Sequence, residues 1–297
     1  MRTTVSFDSA GLTIAGHLYT PDRPAAGPAI VVSHPAGGVK EQAAGRYASR
    51  LAEQGFVTLA FDAAHQGESA GLPRGLEDPA QRVEDVKAAV SFLTTRDEVD
   101  PERIGALGIC ASGGYVVAAA TDQRIKAVAT VSAADIGRQF RQGAEDDQDP
   151  AVVQGMLAAA AAARTAEAHG AAPATFPIFP PDEQAARAGG QHVFDGWAYY
   201  RTDRAQHPRS AKEFTLTSVD RIVAFDPFRF IDLIAPRPLL MIVGAEAVTK
   251  HMTTEAFERA GQPKRLQWID GASHVDLYDK YVDPAAAELA GFFGSEL

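Results

Sequence analysis

The sequence predicts an α/β protein with a mostly parallel central sheet, helices on both faces and a helical insertion late in the chain. Short apolar runs of strand length alternate with segments of helical periodicity. The central runs, Ala29 to His34 and Phe56 to Phe61 among them, are apolar nearly throughout, as strands covered on both faces are. One long stretch, residues 133–235, interrupts this rhythm and shows no strand–helix–strand pattern.

The elements follow in order. Val5 to Phe7 and Leu12 to Tyr19 read as a hairpin around an Ala-Gly turn. Ala29 to His34 is a strand, and Lys40 to Gln54 a helix ended by Gly55. After the strand Phe56 to Phe61, Pro79 to Leu93 carries Val83, Val86, Val90 and Leu93 at helical spacing. Arg103 to Ile109 is a strand, Gly113 to Ala120 a helix, and Ile125 to Ser132 a strand. Strands at Pro238 to Val243 and Leu266 to Ile269 alternate with helices near Thr253 to Ala260 and Pro284 to Phe293. Residues 1–132 and 236–297 thus form the core. Residues 133–235 form a lid, with a helix at Val152 to Ala168, a Pro/Phe stretch at Pro173 to Pro181, and the aromatics Phe194, Trp197, Tyr199, Tyr200 and Phe214. The plainer alternative is a helical extension that covers one sheet edge.

Composition narrows the function. The chain has 297 residues, 46% of them hydrophobic, and a net charge of -10 with no long Lys/Arg run, which argues against nucleic acid or an anionic membrane as partner. The N-terminal residues lack the apolar core of a signal peptide. The longest near-apolar run, Met156 to Ala163, is too short to span a bilayer. A single cysteine suits a reducing compartment, so a cytoplasmic protein is expected. There is no asparagine, which removes a Cys-His-Asn arrangement and N-glycosylation. No metal-ligand spacing and no phosphate-cradling glycine motif is present; His251 and Glu255 at i, i+4 do not make a site. No metal or other cofactor is expected. A small-molecule substrate is, and a homodimer is compatible with the sequence.

The chemistry centres on Arg103-Ile-Gly-Ala-Leu-Gly-Ile-Cys-Ala-Ser-Gly-Gly114, a strand running through small residues into a helix. A sharp strand-to-helix turn exposes its central side chain above the sheet, at the helix N-terminus. Two frames fit: Gly108 to Ser112 centres Cys110, and Cys110 to Gly114 centres Ser112. The first is preferred, because the second would leave Gly108 inside a lengthened strand. The helix N-terminus is expected to lower the thiol pKa from its free value of about 8.5.

Together with the Ser33-His34-Pro35-Ala36-Gly37-Gly38 turn, the Asp62 to Ser69 loop and Gly271-Ala272-Ser273-His274, this elbow resembles the dienelactone-hydrolase-like branch of the α/β hydrolases. It is similar to the sub-branch that holds fungal polyketide transferases and bacterial homologues, and the likeness extends over almost the whole chain. Ser112 departs from that pattern, where glycine is more usual. The resemblance implies an α/β-hydrolase fold and a triad in the order nucleophile, acid, base. His274, after the last strand, is the expected base. Glu246, the only carboxylate in the loop after Pro238 to Val243, is the expected acid, with Asp220 as the alternative. The backbone N–H groups of Ala111 and Ala36 should form the oxyanion hole, since Pro35 has none. His34 is expected to brace the turn and to count among the residues of the substrate pocket. Trp197, Tyr199 and Tyr200 are expected to line a pocket for a medium-sized, partly hydrophobic acyl or aryl substrate. The expected reaction is hydrolysis of an ester, lactone or thioester through an acyl-enzyme. An acyltransferase on the same site and a non-covalent binding or cyclising scaffold are the alternatives.

Overall fold

In the computed structural model, which describes residues 1–21 and 26–297, β1 (Arg2–Ser9) and β2 (Leu12–Tyr19) pair antiparallel across a two-residue turn. Ala10 and Gly11 both have positive φ (49° and 82°), as the turn that matches strand twist requires. β3 (Gly27–Ser33) is buried along its whole length. The expected helix at Lys40 starts three residues later, as α1 (Ala43–Glu53). Lys40 is drawn into the interior by Asp62, 2.7 Å from its Nζ, and the Gln42 N–H closes a turn onto the Val39 carbonyl.

β4 (Val57–Phe61) precedes α2 (Pro79–Thr94), which starts on a proline and is capped by the Asp78 side chain on the Ala80 N–H. β5 (Val99–Ile109), α3 (Ala111–Ala119) and β6 (Ile125–Val131) follow.

After β6 the chain leaves the sheet. It forms α4 (Ile136–Gln142), α5 (Pro150–Ala168), β7 (Thr175–Pro177), α6 (Glu183–Ala188), α7 (Gln191–Arg201), β8 (Glu213–Thr215) and α8 (Val219–Val223). β7, inside the expected Pro/Phe stretch, pairs antiparallel with β8 in a short ribbon. The sheet resumes with β9 (Leu239–Gly244), α9 (Lys250–Arg259), β10 (Lys264–Ile269) and α10 (Val282–Glu296).

The eight strands run in the order β1-β2-β4-β3-β5-β6-β9-β10, and every pairing from β4 onward is parallel. One face packs on α2, α3 and α9 through residues such as Val86, Val90, Val116 and Ala256. The other packs on α1 and α10 through Tyr47, Leu51, Leu289 and Phe293. The mostly parallel, doubly covered sheet that the sequence predicts is present. No helix among the described residues is long and apolar enough to cross a membrane.

Candidate active site

β5 ends at Ile109 and α3 begins at Ala111, so Cys110 alone makes the turn. Its φ of 60° and ψ of -125° are unusual for a side-chain-bearing residue and cost roughly 1–3 kcal/mol. The small neighbours are required. A Cβ at Gly108 would lie 2.0 Å from the Ser112 carbonyl oxygen, and one at Gly113 would lie 2.7 Å from the Ala133 Cβ. The Cys110 carbonyl accepts from the N–H groups of Gly113 (2.8 Å) and Ala134 (3.1 Å), which ties the turn to the end of β6.

Ser112 is not at the elbow. It is fully buried in the first turn of α3, and its hydroxyl is saturated. It donates to the His34 carbonyl (2.5 Å) and accepts from Ser33 Oγ (3.0 Å) and Arg82 Nη2 (2.7 Å). Arg82 Nη2 also donates to the His34 carbonyl at 2.6 Å. This buried knot joins the turn after β3 to the turn after β5. The N–H groups of Ala36 and Ala111, on the two joined turns, both lie near the Cys110 sulfur. Two donors aimed at one atom have the form of an oxyanion hole.

His34 does not reach the pocket. It is fully buried, with Nδ1 2.7 Å from the Pro35 carbonyl and Nε2 accepting from the Ala63 N–H at 3.1 Å. Burial and the Arg82 guanidinium hold its pKa well below the ordinary imidazole value. It is a neutral brace.

His274 is carried by the loop after β10 and is buried over the site. Its Nε2 is 2.9 Å from the Tyr278 hydroxyl, which is also in hydrogen-bonding reach of the Cys110 thiol. Cys110 and His274 are therefore brought together through Tyr278. Burial, with a further contribution from His192, holds the His274 pKa well below its ordinary value.

The thiol departs from the sequence expectation. Burial raises its pKa, and this outweighs the opposing contacts from Tyr278 and the N–H groups of Ala111 and Ala36.

The acid also differs. Nδ1 of His274 lies 2.6 Å from Oγ1 of Thr249, which is buried at the start of α9. Glu246 is exposed. The tight turn from Gly244 to Ala247 sends its side chain outward, while its N–H bonds the Ala272 carbonyl. Asp220, on α8, is paired with Arg164 at 2.7 Å. Neither carboxylate touches His274.

A cavity of about 190 Å³ opens onto Cys110 and His274. Its apolar wall comes mostly from the insertion, through Phe140, Phe176, Ile178, Phe179 and Phe214. Its polar groups include Gln139, His192, Tyr200 and Tyr278. Of the three expected aromatics only Tyr200 lines it. On α7 the pocket face is His192, Val193, Gly196 and Tyr200, with His192, Gly196 and Tyr200 at i, i+4 and i+8. Trp197 and Tyr199 fall off that face. Trp197 stacks on Phe194 with ring centroids 6.0 Å apart, and Tyr199 is buried between Tyr200 and Tyr278. The same spacing, counted back from Tyr200, points to His192, which the sequence reading passed over. Its ring meets that of His274 edge-on at 5.1 Å.

Residues 14–146 match the Dienelactone hydrolase family. The chain is 41% identical over 307 aligned positions to the uncharacterized protein YcjY of Escherichia coli, and the match covers all of both chains. The crystal structure of hypothetical protein PA2218 from Pseudomonas aeruginosa superposes with a TM-score of 0.92 at 37% identity, over 100% of this chain and 94% of that one. The thiohydrolase aneE of Aspergillus aculeatus is 28% identical over 90% of this chain and 84% of its own, and fungal proteins named acyltransferase and polyketide transferase match in a similar way. With its parallel sheet and strand-to-helix elbow, the chain belongs to the dienelactone hydrolase family and is an enzyme of the α/β-hydrolase fold.

Proposed function

We propose that the protein hydrolyses carboxylic ester, lactone or thioester bonds through an acyl-enzyme on Cys110. One observation carries this reading. The Cys110 sulfur sits on the strained elbow, at the floor of the pocket, with two backbone N–H groups directed at it. When a substrate carbonyl enters, its oxygen takes over those two donors as charge develops on it. Each donor is worth about 2.7–4 kcal/mol in the transition state. His274 is the base, and water then releases the acyl group by the reverse proton movement. The residues 133–235 act as a lid whose apolar side chains select the acyl group. The cavity is smaller than the ~300–1,000 Å³ of drug-sized pockets, which suits a compact acyl or aryl group. The lone thiol supports a reducing, cytoplasmic setting.

A second reading is favoured by the wall of the pocket. Its insertion residues are largely apolar, and such walls limit water at the acyl-enzyme. An alcohol or amine bound there would resolve the thioester instead, which makes the enzyme an acyltransferase. The fungal relatives named acyltransferase and polyketide transferase agree with that outcome.

Turnover on a panel of acyl esters and thioesters tests the nucleophile. Cys110→Ala is expected to abolish it, while Ser112→Ala retains it. Full activity in Cys110→Ala with loss in Ser112→Ala would overturn the assignment. Adding alcohols and amines to the same assay separates hydrolysis from transfer by the product formed.

A further inference from the structure

Tyr278 stands at the reacting centre, and acyl transfer as written above gives it no role. It ends the 3-10 turn Asp276–Tyr278, four residues beyond His274, and is 2% exposed. Its hydroxyl lies 2.9 Å from Nε2 of His274 and within reach of the Cys110 thiol. The other ring nitrogen, Nδ1, is occupied by Thr249 at 2.6 Å. The base nitrogen therefore faces a phenol oxygen. A phenol both donates and accepts, so this one can accept from the thiol while donating to Nε2.

The position is held from several sides. The Tyr278 ring packs edge-on against Tyr199 at 5.2 Å and against His274 at 5.6 Å. Arg204, from the insertion, bonds both carboxylate oxygens of Asp279 at 2.7 Å and one of Asp276 at 3.0 Å, so it clamps the residues flanking Tyr278. Thus Tyr278 is fixed by its own turn and by the insertion, with its hydroxyl between the two groups that must exchange a proton.

We propose that Tyr278 relays the proton between Cys110 and His274, so that the thiol is activated through a Cys–Tyr–His chain instead of by direct contact of sulfur with imidazole. This rests on Cys110 being the nucleophile. In acylation the sulfur attacks the carbonyl carbon as its S–H bond breaks. The thiol proton passes to the Tyr278 oxygen, and the phenolic proton passes to Nε2. The carbonyl π electrons move to the oxygen held by Ala36 and Ala111. The phenol leaves the step unchanged, and His274 leaves it as imidazolium. Collapse of the adduct restores the carbonyl, expels the alkoxide or thiolate, and returns the proton from His274 to that leaving group. Burial raises the Tyr278 pKa well above its ordinary value, so a free phenolate is disfavoured and the two transfers are concerted. The resting site is correspondingly neutral, with thiol and imidazole pushed away from an ion pair.

The test is single-turnover acylation of Cys110, measured with a fast-reacting acyl thioester in mixtures of light and heavy water. The wild type is expected to give a curved proton inventory, with two protons in flight. Tyr278→Phe keeps the ring and removes the relay. It is expected to slow acylation about 100-fold, with KM within a few-fold and the melting temperature near that of the wild type. A linear inventory for the wild-type enzyme overturns the relay whatever the variant does, as does acylation of Tyr278→Phe at the wild-type rate. Failure of the nucleophile assignment looks different: Cys110→Ala would then turn over normally.

Discussion

Oγ1 of Thr249 lies 2.6 Å from Nδ1 of His274, in the position where the order nucleophile, acid, base calls for a carboxylate. A hydroxyl can accept the Nδ1 proton and fix the tautomer that leaves Nε2 free to act as base. It cannot supply the charge that stabilises an imidazolium. Thr249→Ala is therefore expected to lower kcat by about tenfold or more, an ordinary loss for a positioned proton-transfer partner. Thr249→Asp is expected to raise the His274 pKa and move the acid limb of the kcat/KM profile to higher pH. Glu246→Gln should leave kcat within about twofold, because its side chain is exposed and apart from His274. A collapse of kcat in Glu246→Gln would restore the carboxylate to the triad.

The Ser112 hydroxyl joins the two turns that carry Ala36 and Ala111. Ser112→Ala leaves the Arg82 guanidinium and the His34 carbonyl short of a buried partner, at a cost of about 1–3 kcal/mol. Urea unfolding should show that loss. Acylation of Cys110 should persist at a reduced rate. A variant as stable as the wild type would show that the knot contributes nothing.

Acyl selection should answer to Gly196 more than to Trp197. A Cβ at Gly196 would meet the Phe179 ring at 2.3 Å, and that ring stacks on Tyr200 in the pocket wall. Gly196→Ala should cut kcat/KM for long acyl chains more than for acetyl. Trp197→Ala should lower the melting temperature and leave the chain-length profile unchanged, since its ring packs on Phe194. The opposite pattern would return Trp197 to the pocket.

Stability should fall as the solution is acidified through the imidazole range. His34 and His274 are buried, and their folded pKa values lie well below the ordinary 6.5. Below pH 6.5 the unfolded chain binds protons that the folded one refuses, so stability rises with pH in that window and is lost as pH drops. Two such groups give a slope of up to about 2.7 kcal/mol per pH unit. Melting temperatures at pH 7.5, 6.5 and 5.5 check this; a flat series would contradict the neutral assignment.

The strand-to-helix turn at Cys110 was legible because it is local. Gly108 and Gly113 mark a close approach of backbone and neighbours that a sequence shows directly. The position of His274 beside the pocket was legible from its place after the last strand. The partner of Nδ1 was not, because the turn from Gly244 to Ala247 decides which side chain faces inward, and it sends Glu246 out and Thr249 in. Tyr278 was missed for a similar reason: it meets His274 through a short 3-10 turn and not through a helix whose period could be counted. The sign of the Cys110 pKa shift was misjudged because desolvation is a property of the packed site. His192 could have been found from the helical register of Tyr200, had the helix boundary at Gln191 been anticipated.

The central claim is that an acyl group passes through Cys110. Its most direct measurement is intact-protein and peptide mass spectrometry after rapid acid quench of the enzyme mixed with a slow ester or thioester. The predicted result is a mass increase equal to one acyl group on the peptide that contains Cys110, absent in Cys110→Ala and formed far more slowly in His274→Ala. A productive enzyme with no adduct at Cys110 under any substrate, or an adduct carried by Ser112, would contradict the account.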